Sequence, residues 1–85
     1  MRVAFTPAGW EDYAYWAATD RKTLLRINKL IEDTLRHPFT GLGKPEGLKH
    51  DAHGAWSRRI TEEHRLVYTV EASAIVIVQA RFHYS

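Results

Sequence analysis

Six basic side chains, Lys44, Lys49, Arg58, Arg59, Arg65 and Arg81, fall in the second half of the chain, with four of its five histidines, His50, His53, His64 and His83. Carboxylates run among them at Glu46, Glu62 and Glu63. There is no cysteine, so thiolate catalysis and thiolate zinc sites are excluded. No Gly-rich phosphate loop, dinucleotide fingerprint or nucleophile elbow is present, and Ser57 and Ser73 lack the signature of an activated nucleophile. His50-Asp51-Ala52-His53 offers two histidines three apart, a spacing that turn-rich segments produce by chance, and no metal is expected there. Carboxylates, imidazoles and guanidiniums remain. This mixture suits metal-free cleavage of RNA, which brings its own nucleophile in the 2′-hydroxyl. The protein then supplies an acceptor for that proton, a donor for the leaving 5′-oxygen and cations for the crowded phosphorane. An ordinary glutamate, with pKa near ~4.3, is an ionised acceptor at neutral pH, and an ordinary histidine near ~6.5 can donate. The formal charge of only +2 leaves another reading of the basic set open, a solvated sheet face.

These groups are far apart in sequence, so the elements must gather them. Val3-Ala4-Phe5 reads as a first strand. Thr6-Pro7 then starts a helix, with threonine as cap, proline at the first helical position, and Glu11 and Asp12 complementing the dipole. Trp10, Tyr13, Trp16 and Ala17 recur at helical spacing. Thr19-Asp20 supplies a break and a second cap. Leu24, Ile27, Ile31 and Leu35, with Leu30 beside them, then mark a helix to about Arg36, which His37-Pro38 ends. Residues 38–47 are dense in turn formers and read as an ordered loop. Strands are expected at Leu48–His50, Trp56–Thr61, Arg65–Val70 and Ala74–Phe82, with turns at Glu62-Glu63 and Glu71-Ala72-Ser73. In the last strand, strict alternation puts Ile75, Ile77, Gln79, Arg81 and His83 on one side and Val76, Val78, Ala80, Phe82 and Tyr84 on the other. A strand ending Gln-x-Arg-x-His leaves a core for a wet, basic place. The expected fold is a single α+β domain over residues 1–85, an N-terminal strand and a two-helix hairpin packed on a mainly antiparallel twisted sheet.

With 45% hydrophobic residues, 85 residues can bury a core, and Trp10, Trp16 and Trp56 are expected in it or against a partner. No apolar run approaches a membrane span and no secretory signal is evident at the N-terminus, so a cytoplasmic location is expected.

Longer motifs carry a specific resemblance. Lys44-Pro45-Glu46-x-Leu48-Lys49-His50, the run Gly54-x-Trp56-Ser57-Arg58-Arg59-Ile60-Thr61-Glu62-Glu63-His64-Arg65-Leu66-Val67-Tyr68 and the ending Arg81-Phe82-His83-Tyr84 resemble the YoeB toxins of the RelE/ParE superfamily. The resemblance extends to Trp10-Glu11-Asp12-Tyr13 and Tyr15-Trp16. It implies a RelE-like fold and a ribosome-dependent messenger RNA endonuclease that cuts in the A site of the 70S ribosome, leaving a cyclic phosphate and a 5′-hydroxyl. It implies no metal or cofactor. A YefM-type antitoxin would hold the toxin inactive, a homodimer is compatible with it, and DNA would be met only through the toxin–antitoxin complex.

Residue by residue, Glu46 matches the family's general base, Arg65 its phosphate-stabilising arginine, His83 its general acid and Tyr84 its positioning or stacking group. Lys49 and Arg59 match additional basic residues at the RNA. Two departures are visible. Phe82 stands where some relatives have tyrosine, and Ser85 follows the usual terminal tyrosine. Position alone allows other readings: Glu46 as a solvated loop acid, Arg65 paired with Glu62 or Glu63, His83 as a frayed end and Tyr84 packed on the sheet. His64 reads as structural or supporting. The rival function is that of the ParE branch, binding DNA gyrase without nuclease chemistry.

Overall fold

The computed structural model describes residues 1–83. Its elements are β1 (Arg2–Phe5), α1 (Pro7–Thr19), α2 (Arg21–Arg36), β2 (Glu46–Gly47), β3 (Trp56–Arg59), β4 (Arg65–Val70) and β5 (Ala74–Gln79). They form one sheet of order β1-β5-β4-β3-β2, in which only the β1–β5 pair is parallel. The α+β architecture is the one expected.

The helix starts follow their caps. Thr6 Oγ1 accepts the Gly9 N–H at 3.0 Å, and Pro7 occupies the first helical position. Asp20 accepts the Thr23 N–H and hydroxyl at 3.2 and 2.8 Å, and these bonds hold its carboxyl below the ordinary value of 3.8. Glycine at position 9 lets α1 lie directly on β5, because a Cβ there would collide with the Ile77 carbonyl. Glu11 and Asp12 depart from expectation: they lie beyond the first turn of α1. Asp12 is used otherwise, accepting the Ala80 N–H at 3.0 Å just past β5.

The core joins Trp16 of α1 and Ile27, Leu30 and Ile31 of α2 to Leu66 and Tyr68 of β4 and Ile75 and Ile77 of β5. Trp16 is buried as expected and Trp56 packs at the margin, while Trp10 is 56% exposed, edge-on to Phe5 and stacked with Tyr13 at the surface. Arg58 is not on a wet face at all. It is fully buried, with its guanidinium donating to Asp33 Oδ2 at 2.7 Å, to the Leu42 and Thr40 carbonyls at 3.0 and 2.9 Å and to that of His37. Its Nε reaches the Tyr68 hydroxyl at 3.1 Å, which in turn donates to the Pro38 carbonyl at 2.7 Å. Five groups of the 33–42 stretch are thereby fixed to the sheet, which is why a loop rich in turn formers is ordered. Among the described residues, no helix is long and apolar enough to cross a membrane.

Beyond a one-residue extension of β1 to Arg2, three strand limits differ from the sequence-based expectation. The edge strand is Glu46–Gly47, not Leu48–His50. Residues 48–54 turn instead, because the Asp51 carboxylate accepts the His53 and Ala55 N–H groups at 3.0 and 2.8 Å and Gly54 takes φ 69°. β3 stops at Arg59, where the 61–64 turn begins, and β5 stops at Gln79. In β5 the alternation also fails. Val67 pairs with Gln79 while Tyr68 pairs with Ile77, a bulge at Val78. The extra residue reverses the facing of the chain beyond it, so Ala80 is fully buried with Ile75 and Ile77.

Candidate active site

The register decides which side chains share a face. Leu66 and Tyr68 face the helices, so Arg65 and Val67 face away from them. Across the β3–β4 ladder, Arg59 stands opposite Arg65 and Ser57 opposite Val67; across β2–β3, Glu46 stands opposite Ser57. One helix-free face therefore carries Glu46, Arg59 and Arg65. Ladder spacings put the Cα of Glu46 roughly 8 Å from that of Arg59 and roughly 12 Å from that of Arg65. Those spans are within the combined reach of a glutamate and an arginine around a phosphate.

The C-terminal segment joins them through the backbone. The Arg65 N–H donates to the Phe82 carbonyl at 3.0 Å, so His83 begins at the start of β4. His83 is exposed. The segment between is held from several sides. Ala80 gives its N–H to Asp12 and receives Trp16 Nε1 at its carbonyl at 2.7 Å. The Phe82 N–H donates to His64 Nδ1 at 2.8 Å, and Gln79 Nε2 donates to the carbonyls of Arg81, Phe82 and His83 at 2.7, 3.2 and 3.2 Å. The His64 ring also packs edge-on against Trp16 at 4.9 Å. Arg81 stacks over Tyr15 at 3.5 Å instead of projecting into solvent.

Arg65 does not pair with Glu62 or Glu63 through their carboxylates. Its Nη1 donates to the carbonyls of Thr61, Glu62 and His64 at 3.0, 3.3 and 3.5 Å. These contacts orient the guanidinium without neutralising it. Lys49 is exposed on the 48–54 turn, on the opposite side of Glu46 from the Arg59–Arg65 pair along the strand direction. Tyr84 lies outside the described residues. Thus Glu46, Arg59, Arg65 and the start of His83 share one region, and Lys49 flanks it. Gln79 carried no role in the sequence, Asp12 only that of complementing the α1 dipole, and that of His64 was open between structural and supporting. The Gln-x-Arg-x-His ending marked Gln79 as polar, but its use depends on the bulge.

The chain is similar to known proteins over nearly its whole length. Residues 5–84 match the family model for the YoeB-like toxin of bacterial type II toxin–antitoxin systems. A "Toxin YoeB" of Streptomyces coelicolor is 60% identical, the match covering 99% of this chain and 100% of the relative. The solved "YoeB/ParE toxin from Agrobacterium tumefaciens" superposes with a TM-score of 0.94 at 50% identity, covering 99% of this chain and 100% of that one. In Staphylococcus aureus, a solved YoeB dimer (TM-score 0.92, 42% identity) and a YoeB–YefM complex (TM-score 0.89, 41% identity) each cover 99% of this chain and 98% of theirs.

Proposed function

Because this chain belongs to the YoeB-like toxins of bacterial type II toxin–antitoxin systems, we propose that it is a metal-independent endoribonuclease that cuts messenger RNA in the ribosomal A site and so stops translation. Glu46 takes the proton of the 2′-hydroxyl as its oxygen attacks phosphorus. The bond from phosphorus to the 5′-oxygen breaks, and the His83 imidazolium gives that oxygen its proton. A 2′,3′-cyclic phosphate and a 5′-hydroxyl result. Arg65, with Arg59 beside it, faces the charge that gathers on the phosphorane. Lys49 holds RNA on the flank, and Tyr84 is assigned to positioning or stacking.

The observation that carries this reading is the shared face of Glu46, Arg59 and Arg65, with the chain leading into His83 hydrogen-bonded to the Arg65 backbone. Acid and base placed on either side of paired cations are what in-line displacement needs. We assign it a YefM-type antitoxin, in keeping with the Staphylococcus aureus relative solved with YefM, and a homodimer as an accessible state, as in the dimer solved from the same organism. An acidic, disordered antitoxin segment suits the face, since it would both cover and neutralise it.

The test is to map the 5′ ends of messenger RNA on translating ribosomes supplied with the pure protein. Cuts within or beside the A-site codon are expected. Intact message, or inhibition of DNA gyrase in its place, would overturn the assignment.

A further inference from the structure

Phe82 adopts left-handed backbone, φ 62°, which a residue with a Cβ rarely takes. Such a conformation persists only where the surroundings over-determine it, and it accumulates at functional positions. Here its N–H is taken by His64 Nδ1, and its carbonyl receives both the Arg65 N–H and Gln79 Nε2. Gln79 reaches further still. One side-chain nitrogen, with two hydrogens to share, lies within hydrogen-bond distance of three consecutive carbonyls, those of Arg81, Phe82 and His83. The β5 ladder has already ended at Gln79. From there to His83 the chain is held by the Arg65 N–H at Phe82 and by side chains: Asp12 and Trp16 at Ala80, His64 and Gln79 at Phe82 and beyond.

We propose that Gln79 is a positioning residue for the His83 imidazole, acting by closing residues 81–83 into a tight bend. The inference rests on His83 being the general acid of the proposed ribonuclease. The bulge at Val78 supplies the geometry, since it puts Gln79 opposite Val67 on the site face, beside the segment it holds. Without the amide, nothing from β5 bridges the three carbonyls, and Phe82 relaxes out of its left-handed conformation. That rotation turns the peptide from which His83 hangs. A general acid must lie within about 3 Å of the oxygen it protonates, and a displacement of about 1 Å is enough to cost roughly 100-fold in rate. Gln79 itself touches no reacting atom.

The experiment compares wild type with Gln79→Met, which keeps length and bulk but removes the donor. Gln79→Glu, which turns an acceptor toward the three carbonyls, is the second variant should the first fail to fold. Single-turnover cleavage on saturating ribosomes is measured with ordinary message and with message carrying sulfur in place of the 5′-oxygen at the cut. Thiolate leaves without being protonated, so that substrate does not need the general acid. Both variants should cut ordinary RNA roughly 10–100-fold more slowly. They should cut the sulfur-bridged RNA within about twofold of wild type. In the free protein, the Phe82 amide should exchange with solvent faster in the variants.

Equal slowing on both substrates would make Gln79 a structural or RNA-binding residue and overturn the proposal. So would unchanged cutting of ordinary RNA, or unchanged exchange at Phe82. Wild-type protein that cuts neither message overturns the ribonuclease reading itself, a failure distinct from wild type and variants cutting alike.

Discussion

At the scale of the residue, the proposed mechanism divides the proton transfers between two side chains. Replacing His83 with Gln removes the donor while leaving a polar group of similar size on an exposed position. Cleavage should be abolished and antitoxin binding kept, as measured by single-turnover assay and calorimetry with a YefM-type partner. Replacing Glu46 with Ala removes the acceptor from an exposed edge strand, so the fold should be unaffected. The rate should fall by about 10²–10⁴, the range of one acid–base role. The acidic limb of the pH–rate profile should flatten, because no carboxylate is left to be protonated there. A variant as fast as wild type at every pH would remove Glu46 as base. By contrast, the most deeply buried cation, Arg58, is structural. Its neighbours in sequence, Ser57 and Arg59, face the site, and Arg58 faces the core solely because a strand alternates.

Elements place these residues by close contact between backbones. Helix α1 both lies on β5 and grips the first residue beyond it, through Asp12 and Trp16. Replacing Gly9 with Ala should therefore test the site as well as the fold. Alanine in a helix is favoured over glycine by about 1 kcal/mol. Its methyl, however, would meet the Ile77 carbonyl, and overpacking against a core costs about 1–3 kcal/mol. The obstacle here is backbone, which yields least, so the clash wins. The midpoint of urea unfolding should fall, and cleavage should fall further than the lost folded fraction explains, because Ala80 moves with α1. A higher midpoint would show that α1 can shift freely over β5.

Over the whole molecule, a charged knot of Arg58 and Asp33 joins helix, loop and sheet. The Asp33 carboxyl is held below its ordinary 3.8, first by the Leu42 N–H and then by Arg58. A carboxyl lowered on folding contributes stability that is fully present above its unfolded value and is lost as pH falls through the folded one. Unfolding midpoints should therefore drop below pH of about 4. Asp33→Asn should be less stable at neutral pH and lose less on acidification. Identical acid profiles for the two proteins would show that the knot does not titrate with folding. Asp20, lowered by its Thr23 contacts, adds a contribution of the same sign.

The order of elements, the two helix caps and the family were legible in the sequence, because capping and helical periodicity are local and the Gly54–Tyr68 run is long and specific. Local chemistry could not give the course of the chain after Gln79. Alternation holds only while a ladder holds, and a single extra residue at Val78 sends Ala80 to the core and frees Gln79 to bind the carbonyls of the tail. The same limit explains Arg58 and the edge strand. A buried guanidinium needs acceptors from 16 to 25 residues away, and Glu46 joins the sheet only because Ser57 lies opposite it. Sequence determined which groups are available for the chemistry. Tertiary structure alone decided which of them meet, because their partners are chosen by packing across the sheet and not by neighbours along the chain.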